Sequence, residues 1–298
     1  MGRTIGHRSL IKILLLFLSV SLFLGKNTSA FADTFADNGR IAFVSVPPIA
    51  YFVEKIGGET IRVESLINPG DDPHVYEPKP KQMADLSKAR LYFSTNFPFE
   101  RNLLTKIKAT NPNLTITNTG YGISYIADAA HKGHEGEDGF DPHIWTSPLN
   151  AFKIAENIYR ELVSANPEEV EIYRKNYLEL LRSITKLDEE LWERSKSARG
   201  MKFLVFHPAW SYFARDYGLI QVPVEQEGKE PKGAQLSRLI EDAKKEGIKV
   251  LFVSPQHSKR SAKIIADAIG AKIVEIDPLS KKWDESLRSM VEILCEAL

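Results

Sequence analysis

Between Asn166 and Gly200 almost nothing in the sequence would stop a helix, and this stretch limits the possible folds more than any other. Asn166 can cap a helix, Pro167 suits its first position, and Glu169 falls three residues after the cap. Apolar residues then recur at Tyr173, Tyr177, Leu180, Ile184, Leu187 and Leu191, in steps of four and three that place them on one face. Neither Pro nor Gly intervenes before Gly200, which fits the position just past a helix end. Pro167 to Ala198 would span ~48 Å as a helix, far beyond the usual ~11–12 residues. The stripe is too short for an extended coiled coil. A spine joining two bodies is the expected role.

Both flanks of this helix alternate short apolar runs with amphipathic stretches. Before it, strands are expected at Ile41 to Val46, Ile61 to Ile67, Leu91 to Ser94 and Leu114 to Thr117. Helices are expected at Pro47 to Ile56, Lys81 to Lys88 and Phe99 to Ala109. After it, strands are expected at Lys202 to Phe206, Leu219 to Val222, Ile248 to Val253 and Lys272 to Ile276. The helices between and after them are Ala209 to Tyr217, Ala234 to Lys245, Ser258 to Ile269 and Trp283 to Ala297. Strand–helix alternation of this kind builds mostly parallel sheets with helices on both faces. The expected fold class is α/β, with two similar lobes joined by one long helix and a site in the cleft between them. The expected divisions are a leader at 1–32, a lobe at 33–166, the helix at 167–198 and a second lobe at 199–298.

The leader carries Arg3, Arg8 and Lys12 ahead of an apolar run from Ile13 to Leu24, followed by Ala30-Phe31-Ala32. That is the layout of a cleaved signal peptide. The run would make about 18 Å of helix, against the roughly 30 Å of a membrane span. No cysteine lies beside the cleavage point, so the expectation is a periplasmic protein without a lipid anchor. Removing residues 1–32 leaves a net charge of −4, because the full chain has 39 basic and 39 acidic residues and the leader holds only basic ones. A chain of this charge is not a general nucleic-acid binder. The single cysteine, Cys295, excludes an internal disulfide framework and any multi-cysteine metal site, and reads as a small apolar residue of the last helix.

The histidines carry the chemistry. Asp72-Pro73-His74 and Asp141-Pro142-His143 are the same tripeptide, and Phe206-His207-Pro208 and Asp277-Pro278 each follow a strand. Ligands of open α/β sheets bind beyond the carboxyl ends of the strands, and proline stiffens each of these loops. His74, His143 and His207 with Asp277 would offer three imidazoles and one carboxylate, a set suited to tetrahedral Zn²⁺. On spacing alone these residues fit either a metal site or hydrogen-bonded structural roles. Asp72 and Asp141 fit either orientation of the imidazoles or tight turns before proline. Trp145, Trp210 and Tyr212 read as packing around the site, and His257 as a surface or packing residue.

Several segments resemble the metal-specific solute-binding proteins of ABC transporters. They are Gly70-Asp71-Asp72-Pro73-His74-Val75-Tyr76-Glu77-Pro78, Asp141-Pro142-His143-Ile144-Trp145, Phe206-His207-Pro208-Ala209-Trp210 and Asp277-Pro278-Leu279. Glu227-Gly228-Lys229-Glu230-Pro231 and Phe252-Val253-Ser254-Pro255-Gln256 also resemble family signatures. The resemblance covers essentially the whole chain after the leader. It implies a monomeric receptor that hands a divalent metal to a membrane permease driven by an ATPase. It implies His74, His143, His207 and Asp277 as ligands of one Zn²⁺ per chain, with Mn²⁺ as the alternative. Manganese receptors of the family usually carry Glu at the third ligand, where this chain has His207, which favours zinc. The segment Ala130 to Asp138 resembles a shortened histidine-rich loop, making His131 and His134 a secondary metal position. The rival from another class is a secreted metallohydrolase. It is disfavoured because all four tetrahedral positions have protein candidates and no H-E-x-x-H motif appears.

Overall fold

The computed structural model describes residues 40–127, 139–225 and 229–296. The leader at 1–32, the pair His131 and His134, and Glu227-Gly228 lie outside the described residues. Among those described, no helix is long and apolar enough to cross a membrane.

The chain begins with β1 (Ile41–Val44), α1 (Pro47–Gly57), β2 (Arg62–Ser65), α2 (Pro80–Leu86), β3 (Leu91–Ser94), α3 (Pro98–Thr110) and β4 (Thr115–Asn118). The four strands form one parallel sheet in the order β2-β1-β3-β4. Parallel strands need crossover connections, and α1, α2 and α3 supply them. Inner strand β3 is buried along its whole length, while edge strand β2 alternates exposed and half-buried residues. This is the burial expected when helices cover both faces of a sheet. Helix α1 starts on Pro47 and Pro48, buries Ile49, Phe52, Val53 and Ile56, and closes at Gly57. The chain turns out of the helix at Gly58, whose φ of 58° favours glycine, and a Cβ on Gly57 would lie 2.2 Å from Ile61 Cγ2, so glycine there lets Ile61 pack against the helix end.

Two helices follow as a hairpin: α4 (Pro148–Ala165) and α5 (Val170–Ser195). The sequence reading anticipated α5 and missed α4. Ser147 caps α4 by accepting a hydrogen bond from the Asn150 amide, and Pro148 takes the first position. Helix α5 is shorter than the expected span. Pro167–Glu169 and Lys196–Ala198 are 3₁₀ turns at its ends, leaving 26 residues of α-helix. Its stripe is as expected: Tyr173, Leu180, Ile184, Leu187 and Leu191 are buried. Tyr177 is half-buried and stacks on Tyr159 of α4, with ring centroids 4.5 Å apart and planes at 7°.

The second lobe contains β5 (Lys202–Val205), α6 (Ser211–Tyr217), β6 (Ile220–Pro223), α7 (Ala234–Lys245), β7 (Val250–Val253), α8 (Lys259–Ile269), β8 (Lys272–Glu275) and α9 (Trp283–Glu296). Its parallel sheet runs β6-β5-β7-β8, the same order as the first. The outer layers have separate cores: one around Phe43, Tyr92 and Leu103, the other around Leu204, Phe206 and Ile265. The inner layers do not. One continuous cluster runs from Phe52 and Ile154 through the α5 stripe to Phe203, Trp283 and Met290. Two indoles fasten the lobes across it. Trp145 Nε1–H donates to the Pro278 carbonyl at 2.7 Å, and Trp283 Nε1–H donates to the Trp145 carbonyl at 2.6 Å. Trp283 also packs on Phe52 of α1, with centroids 4.8 Å apart.

Candidate metal centre

Each lobe turns the carboxyl ends of its strands toward the cleft. His74 lies in the loop after β2 and His143 in the loop after β4, while His207 follows β5 by two residues. The twin tripeptides form twin turns. The His74 amide donates to Asp72 Oδ1 at 2.9 Å, and the His143 amide donates to Asp141 Oδ1, also at 2.9 Å. Each aspartate thus holds its loop in the bend that presents the histidine. Asp141 has a second function. The His143 Nδ1–H donates to Asp141 Oδ1 at 2.7 Å, which leaves Nε2 as the ring's free lone pair. A carboxylate behind a ligating imidazole fixes its tautomer and strengthens it as a donor. Of the two readings of Asp141, both hold.

The structure brings His74, His143 and His207 together. Their ring centroids are 4.8 Å apart for His74 and His207, 5.2 Å for His143 and His207, and 5.5 Å for His74 and His143. One nitrogen from each lies within 4.8 Å of the other two. The edge of a zinc tetrahedron with ~2.0–2.1 Å bonds is about 3.3 Å, so the three nitrogens lie on the scale of one metal ion. His143 is 4% exposed, and the Nε2 atoms of His74 and His207 are buried. The cavity beside them measures about 20 Å³, where one water needs roughly 10–15 Å³. It has room for a bare ion and little else.

Aromatic rings wall the trio. Phe97 meets His74 edge-on at 5.4 Å and His143 at 5.8 Å, and Trp145 meets His143 at 5.5 Å. Phe97 is itself held from below. Its amide donates to Glu100 Oε2 at 2.7 Å, and the Tyr92 hydroxyl donates to Glu100 Oε1 at 2.9 Å. The Ser45 hydroxyl donates to the same Glu100 oxygen. Burial pushes the Glu100 carboxyl above its ordinary range, against the opposing pull of the Ser45, Phe97 and Tyr92 bonds. Tyr212 reaches across from the second lobe and donates to the Asp141 carbonyl at 2.7 Å. Trp145 and Tyr212 are therefore packing residues, as expected, and they also tie the lobes at the site. Trp210 packs edge-on against Phe213 at 5.9 Å.

Asp277 does not join the trio. Its Oδ1 accepts from Gln256 Nε2 at 3.1 Å and from the Leu279 amide at 2.9 Å. Gln256, Pro278 and Leu279 line the cavity, and the first and last of them hold the Asp277 carboxylate. Two residues that sequence reasoning missed lie in its wall or beside it. Glu225, after β6, is 7% exposed, and His207 Nδ1–H donates to its Oε2 at 3.0 Å. His257, after β7, stacks on His207 with centroids 5.0 Å apart and planes at 18°. The surface alternative for His257 is thus set aside, since its side chain is 14% exposed and faces Glu225. The rule that found His207, placement just past a strand's carboxyl end, also applies to both residues.

Fold and site together define a two-lobed solute-binding protein with a divalent-metal cluster of histidine and glutamate in its cleft. A family model described as ZnuA, zinc-uptake complex component A, periplasmic, matches residues 43–297, and the chain belongs to that family. Members of the family are solute-binding proteins and not enzymes. The zinc-binding lipoprotein AdcA of Streptococcus pneumoniae is 30% identical over 81% of this chain. The chain spans only 50% of the length of AdcA. The high-affinity zinc uptake system protein ZnuA of Bacillus subtilis is 28% identical over 95% of this chain and 92% of its own. A crystal structure of ZnuA superposes with a TM-score of 0.82 at 38% identity, covering 87% of this chain and 99% of the other. The metal-dependent lipoprotein YcdH of Bacillus subtilis gives 0.70 at 27% identity, over 87% and 99%.

These relatives correct one expectation. AdcA and YcdH are lipoproteins, which implies lipid anchoring and overturns the reading of an unanchored protein. The lack of a cysteine beside the expected cleavage point is too thin a ground for that reading. An anchor belongs to the segment ahead of the folded lobes, and the fold of the lobes does not constrain it.

Proposed function

We propose that this chain is a periplasmic zinc receptor, which captures Zn²⁺ between its lobes and presents it to an ABC-type permease and its ATPase. The convergence of His74, His143 and His207 from two lobes on a cavity of about 20 Å³ carries the reading. Three imidazole nitrogens suit zinc better than manganese, which prefers oxygen donors. The solved ZnuA deletion mutant with zinc bound, 37% identical with a TM-score of 0.80, supports the same choice. In this reading Asp277 supplies the fourth donor after its carboxylate turns from Gln256 toward the ion. His131 and His134 act as a secondary collecting position. The molecule works as a single chain.

The test is a competition titration of the metal-free protein with Zn²⁺ and Mn²⁺. One zinc per chain, bound well ahead of manganese, is the expected result. His207→Glu should move the ratio of the two dissociation constants toward manganese. An unchanged ratio would remove His207 from the ligands and the main support for zinc.

A further inference from the structure

His207, Glu225 and His257 form a second group whose ligand atoms all lie within 4.8 Å of one another. Glu225 spans the two stacked rings. Its Oε2 is 3.0 Å from His207 Nδ1 and its Oε1 is 3.4 Å from His257 Nδ1. These spacings bracket the edge of a zinc tetrahedron, about 3.3 Å. The three side chains are only 9–14% exposed. They come from the carboxyl ends of β5, β6 and β7, three neighbouring connections of one lobe.

From this geometry we propose that His207, Glu225 and His257 make a second divalent-cation position, adjoining the first and built wholly from the C-terminal lobe. Two imidazoles and a carboxylate are a donor set for a borderline cation of the zinc class, with water completing the shell. His207 is common to both positions, and a neutral imidazole has one lone pair. It ligates toward His74 and His143 through one ring nitrogen or toward Glu225 and His257 through the other. The two positions are therefore alternatives for a single ion, which agrees with the small cavity that His207 and His257 both line. An ion in the second position has left His74 and His143 without leaving the protein. This gives a way station for loading or release.

The experiment uses the double variant His74→Ala, His143→Ala, which cripples the first position and leaves the second intact. Zn²⁺ is titrated against a chromophoric chelator, and Co²⁺ is added separately to read coordination from its visible spectrum. The expected result is one ion per chain, bound more weakly than by the parent. Adding His257→Phe to that background should weaken binding at least ~10-fold more and change the Co²⁺ bands. A double variant that binds no ion overturns the proposal, as does one indifferent to His257→Phe. Circular dichroism confirms the fold of each variant. The pair His74→Gln, His143→Gln, closer in volume, serves if the alanine pair does not fold. The probe is the metal alone, so the result is independent of whether the chain serves transport.

Discussion

At the scale of single residues, the carboxylates behind the imidazoles set what the site can do. Asp141 holds both the backbone and the ring of His143, and Asn in its place keeps an oxygen for the turn while removing the charge. Asp141→Asn should therefore retain one zinc per chain but weaken it about 10–100-fold, read by chelator competition. Asp277→Ala should weaken zinc less than His143→Ala does, since the Asp277 carboxylate gives up its bond from Gln256 when it turns to the ion. Equal losses would mean that leaving Gln256 costs the carboxylate nothing. Glu100 makes a separate pH prediction. Burial raises its carboxyl above the unfolded range, so the folded state holds that proton more tightly than the unfolded state. Its contribution to stability is fully present below the unfolded pKa and is lost as pH rises through the raised one. Glu100→Gln should remove that decline, seen as a flatter profile of unfolding free energy against pH in the variant than in the parent from about pH 4 upward. The histidines legible in the sequence were those in stiff Asp-Pro-His or strand-end loops. Glu225 and His257 also follow strands, but neither stands next to a proline or in a repeated tripeptide, and they lie 18 and 50 residues from His207 in sequence, joined to it only by the sheet order. The direction in which Asp277 points was equally invisible, because neighbours such as Gln256 decide it.

At the scale of elements, α5 shares the common core with α1, α4 and α9. Ile184 is 1% exposed on its inner face and Leu178 is 45% exposed on its outer face. Ile184→Ala should cost about 2–5 kcal/mol of unfolding free energy, and Leu178→Ala should stay within about 0.5 kcal/mol. Urea unfolding of both variants checks the contrast. The strands and most helices were legible because period and punctuation agreed. Proline opens α1, α2 and α3, and glycine closes α1, α6 and α8. Helix α4 escaped notice because its buried face includes Asn150, Ala151, Ala155 and Asn157 among the larger apolar residues. Asn157 is buried to donate to the Thr119 and Tyr121 carbonyls, and Asn150 to the Ile144 carbonyl. Polar residues that fasten the site loops thus dilute the stripe that would have revealed the helix.

At the scale of the whole molecule, zinc and protons compete for the same nitrogens. Zinc affinity should fall steeply from neutral pH to about pH 5, as imidazoles with a reference pKa near ~6.5 take up protons. A flat profile would mean that histidine is not the principal donor. Zinc should also raise the melting temperature, since a ligand at 100 times its Kd adds about 2.7 kcal/mol to the folded state. The lobes have separate apolar cores only in their outer layers, because the helices lining the inner side of both sheets pack on α5. This meeting, with the indoles of Trp145 and Trp283 bolted across it, bears on how cargo is released. Swinging the lobes apart like a clamshell would uncover Phe52, Trp145 and Trp283, at about 1.5–3 kcal/mol for each ring. The body should therefore keep one silhouette, full or empty, with small-angle scattering profiles that superpose. A docking partner would meet the same outline in both states, and would have to tell a laden carrier from a spent one by the few loops at the mouth of the cleft.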